Sequence, residues 1–187
     1  MRRKVIFIDR DGVINWDPIG DYIKKWDDFK FLDGVLEALY MLSAAGYEII
    51  VISNQAGIGD GKYLKEDLDE ITENMERVVR SYGAKITAGY YCLHGKDEGC
   101  TCRKPEIGLF EQAARDHSFI PQETYFIGDK ISDIKAGKRF GLKTIMVMTG
   151  HGPLQKDSVD DSSRPDHIAD DLMAAVHYIL GFHKGEG

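Results

Sequence analysis

Cysteine and proline are the scarce residues of this chain: three cysteines and five prolines in 187 residues. An odd number of cysteines is poor material for a disulfide framework. Long apolar runs are also missing, since runs such as Val5 to Ile8 and Ile49 to Ile52 fall far short of the roughly 20 residues needed to span a bilayer. Basic residues are outnumbered, 24 against 31 acidic, for a net charge of -7. This argues against a broad nucleic-acid or anionic-membrane footprint, so an anionic ligand must meet local positive charge. The start, Met-Arg-Arg-Lys, has the charge of a secretory leader, but its apolar run stops at Asp9, too early for a signal-peptide core. The expectation is a cytoplasmic protein that binds neither membrane nor nucleic acid. No repeat, low-complexity tract or composition break divides the chain, and one domain over residues 1–187 is expected.

The elements alternate. Short apolar runs read as buried strands at Lys4 to Ile8, Glu48 to Ile52, Ala88 to Cys92, Thr124 to Ile127 and Lys143 to Met148. Helical spacing of apolar residues, with glycine stops, predicts helices over Val35 to Ala45 with Asp33 as N-cap, and over Glu66 to Tyr82. A helix after Pro105 turns Leu109, Phe110 and Ala113 inward, one capped around Ser132 and Asp133 ends at Gly141, and a last one runs from about Asp170 to Leu180. His151 to Pro165 reads as a loop. The pattern predicts an α/β architecture, a Rossmann-like parallel sheet with helices on both faces that binds ligands at the carboxyl ends of its strands. Val13 to Leu32 is one long connection with Trp16, Pro18, Tyr22 and Trp26, fit for a lid or pocket wall and too short for a domain.

Asp9 and Asp11 close the first strand, Ser53 the second and Asp129 the fourth. Carboxylates on neighbouring strand ends repel unless a cation holds them, and hard oxygen ligands with open positions suit Mg2+. Ser53 can donate to a phosphoryl oxygen and Lys104 can neutralise it. Separately, Cys92-x-His94, five residues, then Cys100-x-Cys102 supplies four ligands of the type zinc prefers. A closed set of four predicts a structural zinc that clips the loop 92–105 and presents Arg103 and Lys104 to substrate. Phe7, Phe110, Phe126 and Phe140 read as core, Tyr90 and Tyr91 as alternating across a strand, and Lys65 to Arg80 as a solvated helix face. His117, His151, His167, His177 and His183 show no metal-like spacing and are read as without a role.

The order Asp9-x-Asp11, Ser53, Lys104, Gly128-Asp129-Lys130 with Asp133 resembles the four motifs of the haloacid dehalogenase superfamily of phosphatases, over essentially the whole chain. That resemblance implies that Asp9 attacks phosphorus to form an aspartyl-phosphate while Asp11 works as acid and base. It further implies Mg2+ on the Asp9 carboxylate, the Asp11 backbone carbonyl and Asp129, with Asp133 in support. Together with Asn54-Gln55-x-Gly57-Ile58, the cysteine clip and Arg103-Lys104-Pro105, the chain is similar to the D-glycero-D-manno-heptose 1,7-bisphosphate phosphatases, which lack a large cap and remove the phosphate at C7 in lipopolysaccharide and surface-glycan precursor synthesis. The histidinol-phosphate phosphatases share the clip and are the alternative. The resemblance assigns Ser53, Asn54, Gln55, Arg103, Lys104 and Lys130 to substrate, with Arg103 on a second phosphate. Asp60, an acid in the turn where many heptose enzymes carry a base, departs from the pattern. A small-molecule sugar phosphate substrate and a monomer are expected. A phospho-accepting receiver and a zinc-stabilised binding module are the rivals of other classes; the acceptor of a receiver sits on a middle strand, and the acidic balance disfavours the module.

Overall fold

A computed structural model describes residues 3–182; the readings of the first two residues and of His183 fall outside them. Six parallel strands form one sheet: β1 (Lys4–Ile8), β2 (Tyr47–Asn54), β3 (Ile86–Cys92), β4 (Tyr125–Gly128), β5 (Lys143–Val147) and β6 (His167–Ala169), in the spatial order β3-β2-β1-β4-β5-β6. Period-two geometry divides each apolar run between the faces. From β1, Ile6 and Ile8 join Ile49 and Val51 of β2 on one side; Val5 and Phe7 join Ile50 and Ile52 on the other.

Three helices cover the first face: α1 (Val35–Ala44), α3 (Lys65–Ser81) and α7 (Leu172–Leu180), through Leu39, Leu42, Ile71, Met75 and Val176. The second face holds α4 (Gly108–Asp116) and α5 (Ile131–Phe140), where Phe110 meets Phe7 and Phe126 edge to face at 5.2 and 5.1 Å. The single-turn helices α2 (Ala56–Gly59) and α6 (Gly152–Gln155) lie at strand ends. Connections leave β1 in opposite directions, to β2 on one side and, after β3, to β4 on the other. The β1/β4 boundary is therefore a topological switch point, where open α/β sheets hold their ligands. Among the described residues no helix is long and apolar enough to cross a membrane.

Three details differ from the sequence reading. Residue Gly34, at φ +73°, and not Asp33, occupies the N-cap of α1, with no side-chain cap bond. The stretch expected as loop carries α6, whose Gln155 Oε1 accepts the Ile131 amide at 2.7 Å and so caps α5; one turn is too short to show periodicity. It is followed by β6, a three-residue edge strand whose one strongly apolar side chain, Ile168, faces solvent. The long connection 13–32 lines a cavity through Asp17, Pro18 and Tyr22, in keeping with the pocket wall expected of it, and is anchored by Val13, Ile14, Ile23 and Phe29 in the α1-face core while Trp16 and Ile19 stay exposed.

Candidate active site

At the end of β1 the Asp9 amide continues the ladder by donating to Ile127 O of β4 at 2.9 Å, which sets its carboxylate beside the end of β4. The carboxylate oxygens of Asp9, Asp129 and Asp133 lie within 4.8 Å of one another, all three buried. Lys104 reaches in from the cysteine loop: its Nζ lies 3.0 Å from Asp9 Oδ1 and 2.7 Å from Asp133 Oδ1, and donates to Ile52 O at 2.9 Å. Lys130 Nζ lies 4.0 Å from Asp129 Oδ1 but is shared with Asp17, so the three acids still outnumber their cations. Burial pushes the Asp9 carboxyl up to about 6, Lys104 opposing and Asp133 reinforcing that shift. Asp129 is driven well above the usual carboxylate range, by burial first and then by Asp133 and Asp9 against the pull of Lys130. Asp129 Oδ1 is buried without a hydrogen-bond donor. A buried oxygen lacking a partner, inside a cluster of hard carboxylate donors, fits a divalent cation such as Mg2+.

Asp129 is wedged in place. A Cβ on Gly12, at φ +87°, would come 2.2 Å from Asp129 Oδ2, and one on Gly150 would come 2.3 Å from the same atom. Only glycine fits on either side. The His151 amide donates to that oxygen at 2.7 Å.

Asp11 is held differently. Arg10, fully buried between the two aspartates, donates to it through Nε at 3.0 Å and through Nη2 at 2.8 and 3.0 Å; Gln55 Nε2 adds a bond at 2.7 Å and Asn15 Nδ2 one at 3.0 Å. Burial alone would raise the Asp11 carboxyl, but Arg10 and the amide donors outweigh it and hold it below the usual range.

Gln55 is buried, and besides Asp11 it donates to Ser53 Oγ at 2.9 Å and accepts from Tyr63 OH at 2.6 Å and Arg10 Nη2 at 3.1 Å. Asn54 accepts the Lys104 amide at 3.0 Å and donates to Lys104 O at 3.1 Å. Expected against substrate, the side-chain amides of both are committed to neighbours: Gln55 positions Asp11 and Ser53, and Asn54 clamps the lysine backbone.

A cavity of about 320 Å³ opens above this floor, lined by Asp11, Lys104, Arg103, Lys130, Asp17 and Tyr22 among others. Lys130 Nζ is ion-paired to Asp17 Oδ2 at 2.8 Å, and His151 Nε2 lies 3.1 Å from the same oxygen. His151 and Arg10, which sequence reasoning passed over, thus belong to the site. His151 follows the fifth strand's end by a few residues, so the rule used for Asp9, Ser53 and Asp129 was the available signal. Arg10 carried the weaker sign of a cation set between two acids after a buried strand.

The cysteine clip closes as predicted in its composition. Separations of 3.1 and 3.6 Å link Cys92 Sγ to those of Cys102 and Cys100, and His94 Nδ1 lies 3.2 Å from Cys102 Sγ and 3.6 Å from Cys92 Sγ. Metal–sulfur bonds of about 2.3 Å in a tetrahedron give edges of about 3.7 Å, so the four donors, at 3.1 to 3.6 Å, stand slightly inside the spacing of a zinc site. Slight burial of Cys100 is outweighed by the amides of Arg103 and Cys102, which bring its thiol down to about 7, whereas burial raises the thiols of Cys92 and Cys102.

Residues 101–175 match the HAD-hydrolase-like family model. The chain is 34% identical to the D-glycero-beta-D-manno-heptose-1,7-bisphosphate 7-phosphatase of Haemophilus ducreyi, over 96% of this chain and all of the relative. It is 37% identical to the D-glycero-D-manno-heptose-1,7-bisphosphate 7-phosphatase of Chlorobaculum tepidum, over 95% of each. The chain belongs to the heptose-bisphosphate 7-phosphatase family. It is a phosphoric monoester hydrolase on the haloacid dehalogenase fold, without a large cap. Among solved structures, the D,D-heptose 1,7-bisphosphate phosphatase of B. bronchiseptica, complexed with magnesium and phosphate, superposes with a TM-score of 0.88 at 30% identity over 96% of this chain and 99% of that one.

Proposed function

We propose that this phosphatase removes the C7 phosphate of D-glycero-D-manno-heptose 1,7-bisphosphate, with residues 1–187 as one catalytic domain. The observation that carries the reading is Lys104, seated between Asp9 and Asp133 on the floor of a cavity whose rim holds Arg103 with no ion-pair partner among the described residues and with Nη1 buried and unbonded. A carboxylate nucleophile, a phosphate-neutralising lysine and a free guanidinium in one cavity suit a substrate with two phosphates. The names of the relatives support the same substrate.

Asp9 attacks phosphorus; the bond to the sugar oxygen breaks, and Asp11 gives that oxygen its proton. Water then attacks the aspartyl-phosphate as Asp11 takes its proton, releasing inorganic phosphate and restoring Asp9. In the resting geometry Asp11 is ionised, the state its second step needs, and it takes up the proton for the first as the negative phosphate approaches. Ser53 and Lys104 hold the phosphoryl oxygens, Lys130 orients the sugar through Asp17, and Arg103 binds the distal phosphate as a planar fork. Mg2+ on Asp9, the Asp11 carbonyl and Asp129, with Asp133 alongside, supplies the charge cancellation that lets a carboxylate approach a phosphate dianion; the magnesium in the B. bronchiseptica relative supports this choice. Zinc on Cys92, His94, Cys100 and Cys102 has a structural place. The product would feed surface-glycan or lipopolysaccharide synthesis from the cytoplasm.

Steady-state kinetics with Mg2+ on both anomers of heptose 1,7-bisphosphate and on histidinol phosphate test the proposal. The bisphosphate is expected to win in kcat/KM, with Arg103→Ala eroding that preference about tenfold. Histidinol phosphate as the better substrate, or equal losses on both in Arg103→Ala, would move the chain to the histidinol branch.

A further inference from the structure

We propose that Lys96, inside the cysteine loop, is a second cation on the distal phosphate, acting with Arg103; the inference rests on the bisphosphate reading and adds a residue to it.

Lys96, Arg103 and Lys104 line both the cavity over the carboxylates and an adjoining hollow of about 480 Å³ on the outer side of the clip. Two of the four lysines and arginines that line the cavity are already spent. Lys104 is paired with Asp9 and Asp133, and Lys130 with Asp17. Among the described residues, Lys96 and Arg103 make no ion pair, and Arg103 Nη1 is buried without an acceptor. Two cations of one wall are left facing a solvent-filled space, and that imbalance calls for an anion.

The backbone under Lys96 is fixed. Its amide donates to Asp60 Oδ1 at 3.3 Å, the preceding Gly95 amide donates to Glu98 Oε1 at 2.6 Å, and Gly59 packs so closely that a Cβ there would fall 2.1 Å from Gly95 N. The ammonium lies 5.9 Å from the centre of the Tyr22 ring, itself part of the cavity wall, and Tyr22 OH donates to Asp60 Oδ2 at 3.2 Å. Asp60 therefore spends its charge on holding Lys96 and Tyr22. The acid that looks wrong for a bisphosphate site is the residue that fastens a lysine beside it. A compact ammonium and a planar guanidinium on one wall match a phosphate dianion: the fork takes two oxygens and the lysine a third.

The experiment uses the intact enzyme loaded with zinc and Mg2+, and compares kcat and KM on heptose 1,7-bisphosphate with those on a heptose 7-monophosphate, which lacks the distal phosphate. In Lys96→Gln the ratio of the two kcat/KM values should fall about tenfold, through KM of the bisphosphate. The fall should shrink as salt is raised, since the contact is partly exposed. Asp60→Ala should lower the ratio in the same direction by less, and the double variant should be no worse than Lys96→Gln alone. A Lys96→Gln ratio within about twofold of the unsubstituted enzyme, or equal losses on both substrates, would overturn the proposal. Failure of the unsubstituted enzyme to hydrolyse the bisphosphate would overturn the bisphosphate reading, and this proposal with it, before any variant is made.

Discussion

The floor of the site and its rim are built on different principles. Asp9, Ser53 and Asp129 on the floor sit at the ends of buried parallel strands, fixed by ladder bonds and by glycines that leave no space to move. The rim consists of four segments far apart in sequence, residues 13–32, 56–61, 92–105 and 149–151, held to one another by side chains such as Tyr22, Asp60 and the cysteine set. The floor suits a reaction common to many phosphate esters, and the rim suits the choice of one. The two meet at neighbouring residues, Arg103 and Lys104. Asn54 and the paired aspartates hold the lysine independently of the clip, whereas Arg103 has only the loop.

That division can be broken most severely from the floor. Asp9→Asn should lower kcat by about 10⁴-fold or more on every phosphate ester, because an amide neither attacks phosphorus nor holds a cation. A folded variant that keeps its turnover would remove Asp9 from the nucleophile's place.

A smaller and more selective effect should come from the rim. Removal of zinc, or Cys102→Ser, is expected to cost about ten- to a hundredfold in kcat/KM on the bisphosphate, carried more by KM than by kcat, because Arg103 loosens while Lys104 stays clamped. Elemental analysis should find one zinc per chain in the unsubstituted protein. Absence of zinc with full activity, or a loss confined to kcat, would show that floor and rim are not separable in this way.

The smallest effect belongs to neither region. Asp166 accepts from the Thr144 amide at 2.7 Å and from Thr144 Oγ1 at 2.9 Å, tying the approach to β6 onto β5. Slight burial would raise its carboxyl, but those donors and Lys138 hold it below the usual range. A carboxyl depressed in the folded state stabilises it above the ordinary carboxylate pKa, and the contribution is lost as pH falls through the depressed value. Asp166→Ala should cost about 1 to 2 kcal/mol in chemical denaturation near pH 7, less as the medium becomes acid, with kcat unaltered. A cost independent of pH would refute the assignment.

The floor was legible in the sequence because local rules govern it. A buried strand shows as an apolar run, and the residue after that run is at the carboxyl end wherever the strand lies in the sheet. Asp9, Ser53 and Asp129 needed nothing more, and the clip was readable because its four ligands are close in sequence. The rim was harder, since its contacts join residues as distant as Asp17, Lys130 and His151, and no spacing encodes them. Asn54 and Gln55 were found by motif, but their work is internal, and an amide that bonds its neighbours looks in sequence like one that bonds a ligand. Strand β6 escaped because three residues with one exposed isoleucine leave no alternation to detect.

The chain of contacts from Tyr22 through Asp60 to the backbone at Lys96, with Gly59 pressed on Gly95, also governs how the rim opens. Loops of this length ordinarily fray one at a time, each amide exchanging with solvent on its own schedule. Here the segment at Tyr22 cannot lift without releasing the turn at Asp60, nor that turn without freeing the cysteine loop. The three segments should open as a single cooperative unit, and the amides of Gly59, Asp60, Gly95 and Lys96 should share one opening free energy in hydrogen exchange, set by the cysteine clip rather than by any loop alone.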